Sequence, residues 1–333
     1  MLKPIKLKNV IIKNPVILAP MAGITDLPFR KLVSSFGNDD FTVSLTVSEM
    51  VPSASQVILL ERKKSTDKVK RLYERHNSEQ LTSVQIFGND PDLMAKSAKI
   101  NEELGADIID INMGCPVNKI VKNGAGSDLL KNMPLAESII KAVVNVVTVP
   151  VSVKIRTGWD LNNKVAPDFA KMIEQSGASM ITIHGRTRSQ LYSGDIDFDT
   201  IKRTKEAVKI PVVGNGDITT CELAGEMIEK TGVDGIMIGR GSYGAPWFLS
   251  HVIEFLKTGN IPQAPSITQK KDIMISHIKA LLEYYGEKTG IFNSRKHIAW
   301  YSKGIKNSNE FRNLINNTTD VKEIFILIDK LFK

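Results

Sequence analysis

Three short stretches decide the fold: Leu104-Gly-Ala-Asp-Ile108, Ser176-Gly-Ala-Ser-Met180 and Thr231-Gly-Val-Asp-Gly235. Each follows an amphipathic segment and leads into a β-branched run, so each reads as a helix stopped by a left-handed glycine and handed on to a strand. Outward from them, apolar runs at 16–20, 41–49, 83–87, 108–113, 151–155, 180–184, 211–214 and 235–238 predict eight strands. Between these runs, apolar residues recur at three and four over 92–104, 134–147, 166–175 and 221–230, the spacing of helices with one buried face. Eight strands alternating with helices predict an α/β protein built on a (β/α)8 TIM barrel. An open doubly wound sheet shares the local pattern, but the regular count of eight argues for closure.

At 333 residues the chain is longer than a barrel of about 250 requires. The alternation stops at a Pro- and Gly-bearing stretch, TGNIPQAPSITQ. The predicted organisation is a barrel over 1–257, a linker over 258–269 and a small all-helical domain over 270–333. From Ser266 onward, twelve Lys and Arg face seven Asp and Glu, so this last fifth carries most of the chain's net charge of +8. Concentrated positive charge suits a polyanion such as RNA, with a solvated helical face as the plainer alternative. No apolar run reaches about 18 residues and MLKPIKLKNVIIKNP lacks the apolar centre of a secretion signal, so a cytoplasmic protein without membrane contact is expected. The two cysteines, Cys115 and Cys221, allow neither a disulfide framework nor a zinc cluster. No metal and no protein partner is predicted.

In a parallel barrel the reactive groups gather where strands end. Those positions here are polar: Pro20-Met21-Ala22, Glu49, Gln85, Asn112 with Cys115, Lys154 and Arg156, His184 and Arg186, Asn215-Gly216-Asp217, and Gly239-Arg240-Gly241. The last two clusters are glycine-rich turns after strands seven and eight, where backbone N–H groups cradle a phosphate. Gly239 to Gly244 also matches GxGxxG, but no further strand with an acidic end follows, so a dinucleotide site is not expected there. Lys154 lies in an apolar strand and needs an anionic partner; a flavin's pyrimidine edge would provide one, with Gln85 bonding its carbonyl and N–H groups and His184 donating to it. A Schiff-base lysine remains the chemical alternative, and a structural role the plainer one for His184. Cys221, in a helical pattern, reads as packing. Cys115 sits between glycine and proline before the loop Lys122-Asn-Gly-Ala-Gly-Ser, so it is expected to be accessible and mobile, and its thiol can act as a general acid.

These residues stand in a set of longer motifs: APMAGITDLPFR at 19–30, VQIFGNDP at 84–91, DINMGCPVNKIVKNGAGSDLL at 110–130, VKIRTGW at 153–159, HGRTRSQLYSG at 184–194, GNGDI at 214–218, GRGSYGAPWF at 239–248 and RKHIAWYSKG at 295–304. In that order they resemble the tRNA-dihydrouridine synthases, with wording closer to the bacterial B-type branch. Phe198, where the family often has tryptophan, and Tyr243, where it often has glutamine, are departures outside the expected catalytic positions. The resemblance implies FMN held by Pro20, Met21, Ala22, Gln85, Lys154 and His184, with Asn215, Gly216, Asp217, Gly239 and Arg240 around its phosphate. It implies NADPH as reductant, hydride delivery to uracil C6 and protonation of C5 by Cys115. It further implies uracil contacts from Asn112 and Arg156, an Arg186 that serves either ligand, and an RNA grip by Arg295 and Lys296, with tRNA as partner. The basic run from Glu61 to Arg75 would add phosphate contacts or form a solvated face.

Three rival readings use parts of the same set. A flavin barrel acting on a free pyrimidine or an enone keeps the cofactor residues but leaves the basic C-terminal charge without purpose. A synthase acting on ribosomal RNA keeps everything. A non-enzymatic RNA-binding protein uses the charge and leaves Cys115 idle.

Overall fold

A computed structural model describes residues 3–62, 70–72, 74 and 80–333. Most of the basic run between Glu61 and Arg75 lies outside the described residues. The chain begins with a hairpin, β1 (Ile5–Leu7) and β2 (Val10–Ile12), and then enters the barrel with β3 (Val16–Leu18), α1 (Leu27–Ser34) and β4 (Thr46–Val47). A short β5 (Val51–Pro52) and α2 (Ser53–Glu61) precede β6 (Thr82–Phe87), α3 (Pro91–Glu103) and β7 (Ile108–Met113). Next come α4 (Asn118–Val121), α5 (Met133–Val146), β8 (Val151–Arg156), α6 (Ala166–Gln175) and β9 (Met180–His184). The barrel part ends with α7 (Phe198–Glu206), β10 (Val212–Asn215), α8 (Cys221–Thr231), β11 (Gly235–Ile238) and α9 (Phe248–Thr258).

All neighbouring strands from β3 to β11 are parallel, and β4 pairs with both β3 and β6, so β3, β4 and β6 to β11 form a closed ring of eight. The expected TIM barrel is therefore the observed one. Gly105, Gly177 and Gly232 take φ of 94°, 89° and 67°, the left-handed stops that the repeated stretches require. The run at 41–49 pairs only over Thr46–Val47, and ahead of it the carbonyls of Asp40 and Thr42 accept from the Asn14 side-chain amide.

Strand periodicity sorts the side chains by face. Ile109, Ile111, Val153, Ile155, Ile181 and Ile183 turn outward into the apolar layer shared with Phe169, Ile139 and Ile173 of the surrounding helices. The alternate positions turn inward, and there they are polar: Ser83 and Gln85, Asp110 and Asn112, Ser152, Lys154 and Arg156, Thr182 and His184. The bottom of the interior is instead apolar. Ile5, Leu7, Val10 and Ile12 of the hairpin pack against Ile17, Ile108, Met180 and Val213, plugging the N-terminal end of the barrel. The alternation of buried and exposed residues in IKL and VII carries the hairpin, which the eight-strand reading does not include.

Beyond α9 the chain forms four helices, α10 (Ile267–Tyr285), α11 (Glu287–Tyr301), α12 (Ser308–Asn317) and α13 (Val321–Leu331). They share a separate core that includes Met274, Ile278, Ile298, Phe311, Ile315 and Ile328. Ser266 starts α10 with a capping box, its side chain accepting from Gln269 N–H while Gln269 accepts from Ser266 N–H. This helical domain sits against the C-terminal rim of the barrel. Phe29 of α1 packs on His277 and His297 with ring centroids 5.5 and 5.6 Å apart, and Tyr243 stacks on Trp300 at 3.9 Å. Asp26 caps α1 by accepting from Phe29 N–H and also accepts from Tyr285 Oη at 3.0 Å.

Replacing Ile12, which is fully buried, by alanine is expected to destabilise the protein by about 2–4 kcal/mol in urea unfolding. The same change at Ile11, 53% exposed on the other face, should shift stability by less than about 0.5 kcal/mol. Equal effects at the two positions would contradict the plug.

Candidate active site

At the C-terminal end of the strands the barrel opens into a cavity of about 460 Å³. Of the sequence-predicted residues, Pro20, Met21, Ala22, Asn112, Cys115, Lys154, Arg156, His184, Asn215, Gly216, Asp217, Gly239 and Arg240 line it together. A larger groove of about 1250 Å³ lies on the flank between α1, α3 and α10 and holds none of them. Lys70, Arg71 and Glu74 are among its lining residues.

Lys154 and Arg156 project inward from β8 two residues apart. Lys154 Nζ donates to Asn215 Oδ1 at 3.2 Å, and burial together with Arg156 pulls its pKa down to about 8, against the opposing pull of Asp110. Arg156 is buried, and its guanidinium bonds three backbone carbonyls: Gly114 at 2.9 Å, Thr187 at 2.8 Å and Leu191 at 2.7 Å. It thereby ties the Cys115 loop to the loop after β9. His184 is buried with Nε2 lacking a hydrogen-bond partner, and burial beside Lys154 and Arg156 holds its pKa well below the ordinary histidine value. The imidazole is neutral.

Cys115 differs from the expectation of a mobile, accessible thiol. It is 9% exposed, and its backbone is fixed on both sides. Its N–H donates to Asn112 Oδ1 at 2.9 Å, and its carbonyl accepts from Ser127 N–H at 3.1 Å and Ser127 Oγ at 2.9 Å. A loop composed of glycine, cysteine and proline is held by a partner from the strand before it and another from the turn after it. Burial raises the thiol's pKa, with Val117 N–H and the Arg156 and Lys154 charges pulling the other way. Cys221 is buried at the first turn of α8, as packing requires.

The two glycine-rich turns meet. A side chain on Gly241 would come within 2.2 Å of the Ile218 carbonyl, so the turn after β11 approaches the turn after β10 at a distance only glycine permits. Gly239 leads into the 3-10 turn Arg240–Ser242, whose first N–H groups have no partner within the turn. Asp217 takes φ of 47° and its carboxylate accepts from Arg240 Nη2 at 2.5 Å and from Arg186, which holds its pKa below the usual carboxylate range.

Four predicted residues stand off the cavity wall. Gln85 is fully buried beneath it, with Nε2 donating to Asp110 and Oε1 accepting from Asn112. Arg186 is spent on Asp217 and on the carbonyls of Ser193 and Gly194. In the helical domain, Arg295 Nη2 donates to Thr318 O at the end of α12, and Lys296 Nζ donates to the Gly23 carbonyl of the loop after β3. Tyr192, which the sequence reading does not single out, and Tyr243, noted there only as a departure from the family pattern, also line the cavity. Tyr192 is half exposed, with the guanidinium carbons of Arg156 and Arg240 at 5.5 and 5.3 Å from its ring centre. Both tyrosines fall inside the quoted motifs, but an aromatic residue in a loop carries no periodic signal of its own.

Comparison with known proteins bears on this arrangement. A protein described as "Probable tRNA-dihydrouridine synthase" from Rickettsia conorii is 49% identical over 96% of this chain and 94% of its own. One described as "tRNA-dihydrouridine synthase B" from Pasteurella multocida is 44% identical over 96% of this chain and 93% of its own. The solved structure of a variant of NCR from Zymomonas mobilis shares the fold, with a TM-score of 0.55, 15% identity, and coverage of 79% of this chain and 92% of that one. The family model for dihydrouridine synthase matches residues 17–333, from the first barrel strand through the helical domain. Forming dihydrouridine adds two hydrogens to uridine, so the match is to a group of oxidoreductases. The chain belongs to the dihydrouridine synthase family, in its B-type branch.

Proposed function

We propose that this protein uses FMN and NADPH to reduce the C5=C6 bond of uridine in the D-loop of tRNA to 5,6-dihydrouridine. The observation that carries the reading is that Cys115 lines the same cavity as Lys154, His184, Asn215 and the two glycine-rich turns.

The residues present fit a flavin mononucleotide. The unpartnered His184 Nε2 is a buried polar atom awaiting a hydrogen bond. The turns at 215–217 and 239–241 would hold the phosphate through backbone N–H groups and Arg240. Pro20, Met21 and Ala22 would lie along the ring system, Lys154 would face its pyrimidine edge, and Gln85 would support this set from the layer beneath. When bound, FMN reduced by NADPH supplies the hydride that adds at uracil C6.

The chain's own residues then do the rest. Uracil is reached only after the nucleotide leaves the RNA stack, and Asn112 and Arg156 would orient it at the cavity wall. The Cys115 thiol gives its proton to C5 as C6 receives the hydride, leaving a thiolate that solvent reprotonates. A raised thiol pKa keeps that proton in place at neutral pH. Arg156 and Lys154 stabilise the thiolate afterwards. Arg186 acts on the pocket through Asp217 and the 193–194 turn. Basic residues of the helical domain face the RNA backbone, where Arg295 and Lys296 would contribute mainly by holding the domain in shape and in place.

Cys115→Ala should retain flavin absorbance while losing about 10²–10⁴-fold in turnover with tRNA. Apparent KM for tRNA should climb steeply with salt, whereas salt-independent KM would favour a small-molecule substrate. Because burial raises the thiol pKa, the proton persists to higher pH. Alkylation of Cys115 by iodoacetamide should therefore be slow at neutrality and still accelerating at pH 9.0, the thiol's ordinary value. A plateau below pH about 8 would identify a thiolate and remove the acid role.

A further inference from the structure

Three inward side chains that run from beneath the cavity to its wall are joined end to end, and their donors and acceptors all run one way. Gln85 stands opposite Asp110 in the ladder between β6 and β7, and Asn112 lies two residues further along β7, so all three share the inner face. Gln85 Nε2 donates to Asp110 Oδ2 at 2.6 Å, and Asn112 Nδ2 donates to Gln85 Oε1 at 2.8 Å. Asn112 Oδ1 then accepts the backbone N–H groups of Gly114 at 3.1 Å and Cys115 at 2.9 Å. Ser152 Oγ donates to the other Asp110 oxygen at 2.5 Å, and all three members of the chain are buried.

A side-chain amide accepts at one end and donates at the other, so either orientation satisfies an isolated pair of amides. Burial raises the Asp110 pKa, while the bonds from Gln85 and Ser152 and the charge of Lys154 favour its ionised form, and an ionised carboxylate only accepts. Placed at the foot of the chain, it removes that freedom from below, as the donor-only N–H groups of Gly114 and Cys115 do from above. Gln85 must turn its NH2 toward Asp110, its oxygen must then face Asn112, and the Asn112 oxygen must face the Cys115 loop.

We propose that Asp110 is a positioning residue that sets the direction of this amide relay and so fixes the Cys115 backbone at the cavity wall. The consequence for catalysis rests on the reading of Cys115 as proton donor. The relay itself is tested without RNA.

The measurement is residue-resolved amide hydrogen exchange at Gly114 and Cys115 in the full chain as purified. In Asp110→Asn the foot of the chain can donate as well as accept, so the reversed arrangement, in which NH2 groups face the loop's N–H groups, is no longer excluded from below. Exchange at the two positions is expected to accelerate about tenfold or more. The double variant Asp110→Asn with Asn112→Asp reverses the relay while restoring every bond within it, losing only the Asn112 Nδ2 contact to Met50 Sδ, because the carboxylate now stands beside the loop and accepts from it. Its exchange is expected to return to within about twofold of wild type. Unchanged exchange in Asp110→Asn, or a double variant as fast as Asp110→Asn alone, overturns the proposal. If Asp110→Asn does not fold, a folded double variant with wild-type exchange supports the relay, and failure of the double variant to fold overturns it. Inactivity of the wild-type protein toward RNA would count against the proposed reaction and leave this result standing.

Discussion

Cations placed inside a closed barrel are costly unless something balances them, and the mouth of this barrel collects four: Lys154 and Arg156 from β8, Arg186 after β9 and Arg240 after β11. Two carboxylates answer them. Asp110 lies below beside Lys154, and Asp217 lies above between Arg186 and Arg240. Arg156 is instead absorbed by three carbonyls. Positive charge thus exceeds negative within the cavity, an arrangement complementary to a phosphate-bearing ligand. Burial, reinforced by the same imbalance, holds His184 neutral and lowers the affinity of Lys154 for its proton. Loop geometry follows as well, because the carbonyls that absorb Arg156 belong to the Cys115 loop and to the loop after β9.

Besides the Phe29 and Tyr285 contacts at the rim, the helical domain is coupled to this mouth through Lys296 and Trp300. Lys296 reaches the Gly23 carbonyl in the loop after β3, near the buried carboxyls of Asp26 and Glu49, and Trp300 stacks on Tyr243 at the edge of the cavity. Two residues expected to grip RNA are therefore partly structural. Arg295 secures the end of a neighbouring helix, and Lys296 docks the domain onto the barrel. Charge counting along a sequence registers cations without registering which of them are already engaged.

The alternation of strands and helices was legible because it depends on local periodicity and on glycines with a left-handed conformation. Thirteen of the predicted site residues meet in one cavity because barrel topology sends every strand end to the same rim. What could not be read were relations between side chains. Gln85 carries the right chemistry for a ligand, but its partners on β7 place it one layer down. Arg186 looks like an exposed loop arginine until Asp217 and the 193–194 carbonyls are placed beside it. Cys115 looks accessible because its neighbours are glycine and proline, while Asn112 and Ser127 hold it from positions three and twelve residues away. The N-terminal hairpin escaped because two three-residue strands fall below the length at which alternation is distinctive.

The most direct test of the account is made on RNA from cells. With the gene deleted in a strain lacking other dihydrouridine synthases, dihydrouridine would be mapped across tRNA and ribosomal RNA by mass spectrometry. Wild type and Cys115→Ala would then be reintroduced. The account predicts defined D-loop positions in tRNA that lose dihydrouridine on deletion, regain it with wild type and regain little with the alanine variant. Dihydrouridine unchanged at every tRNA position on deletion would contradict it.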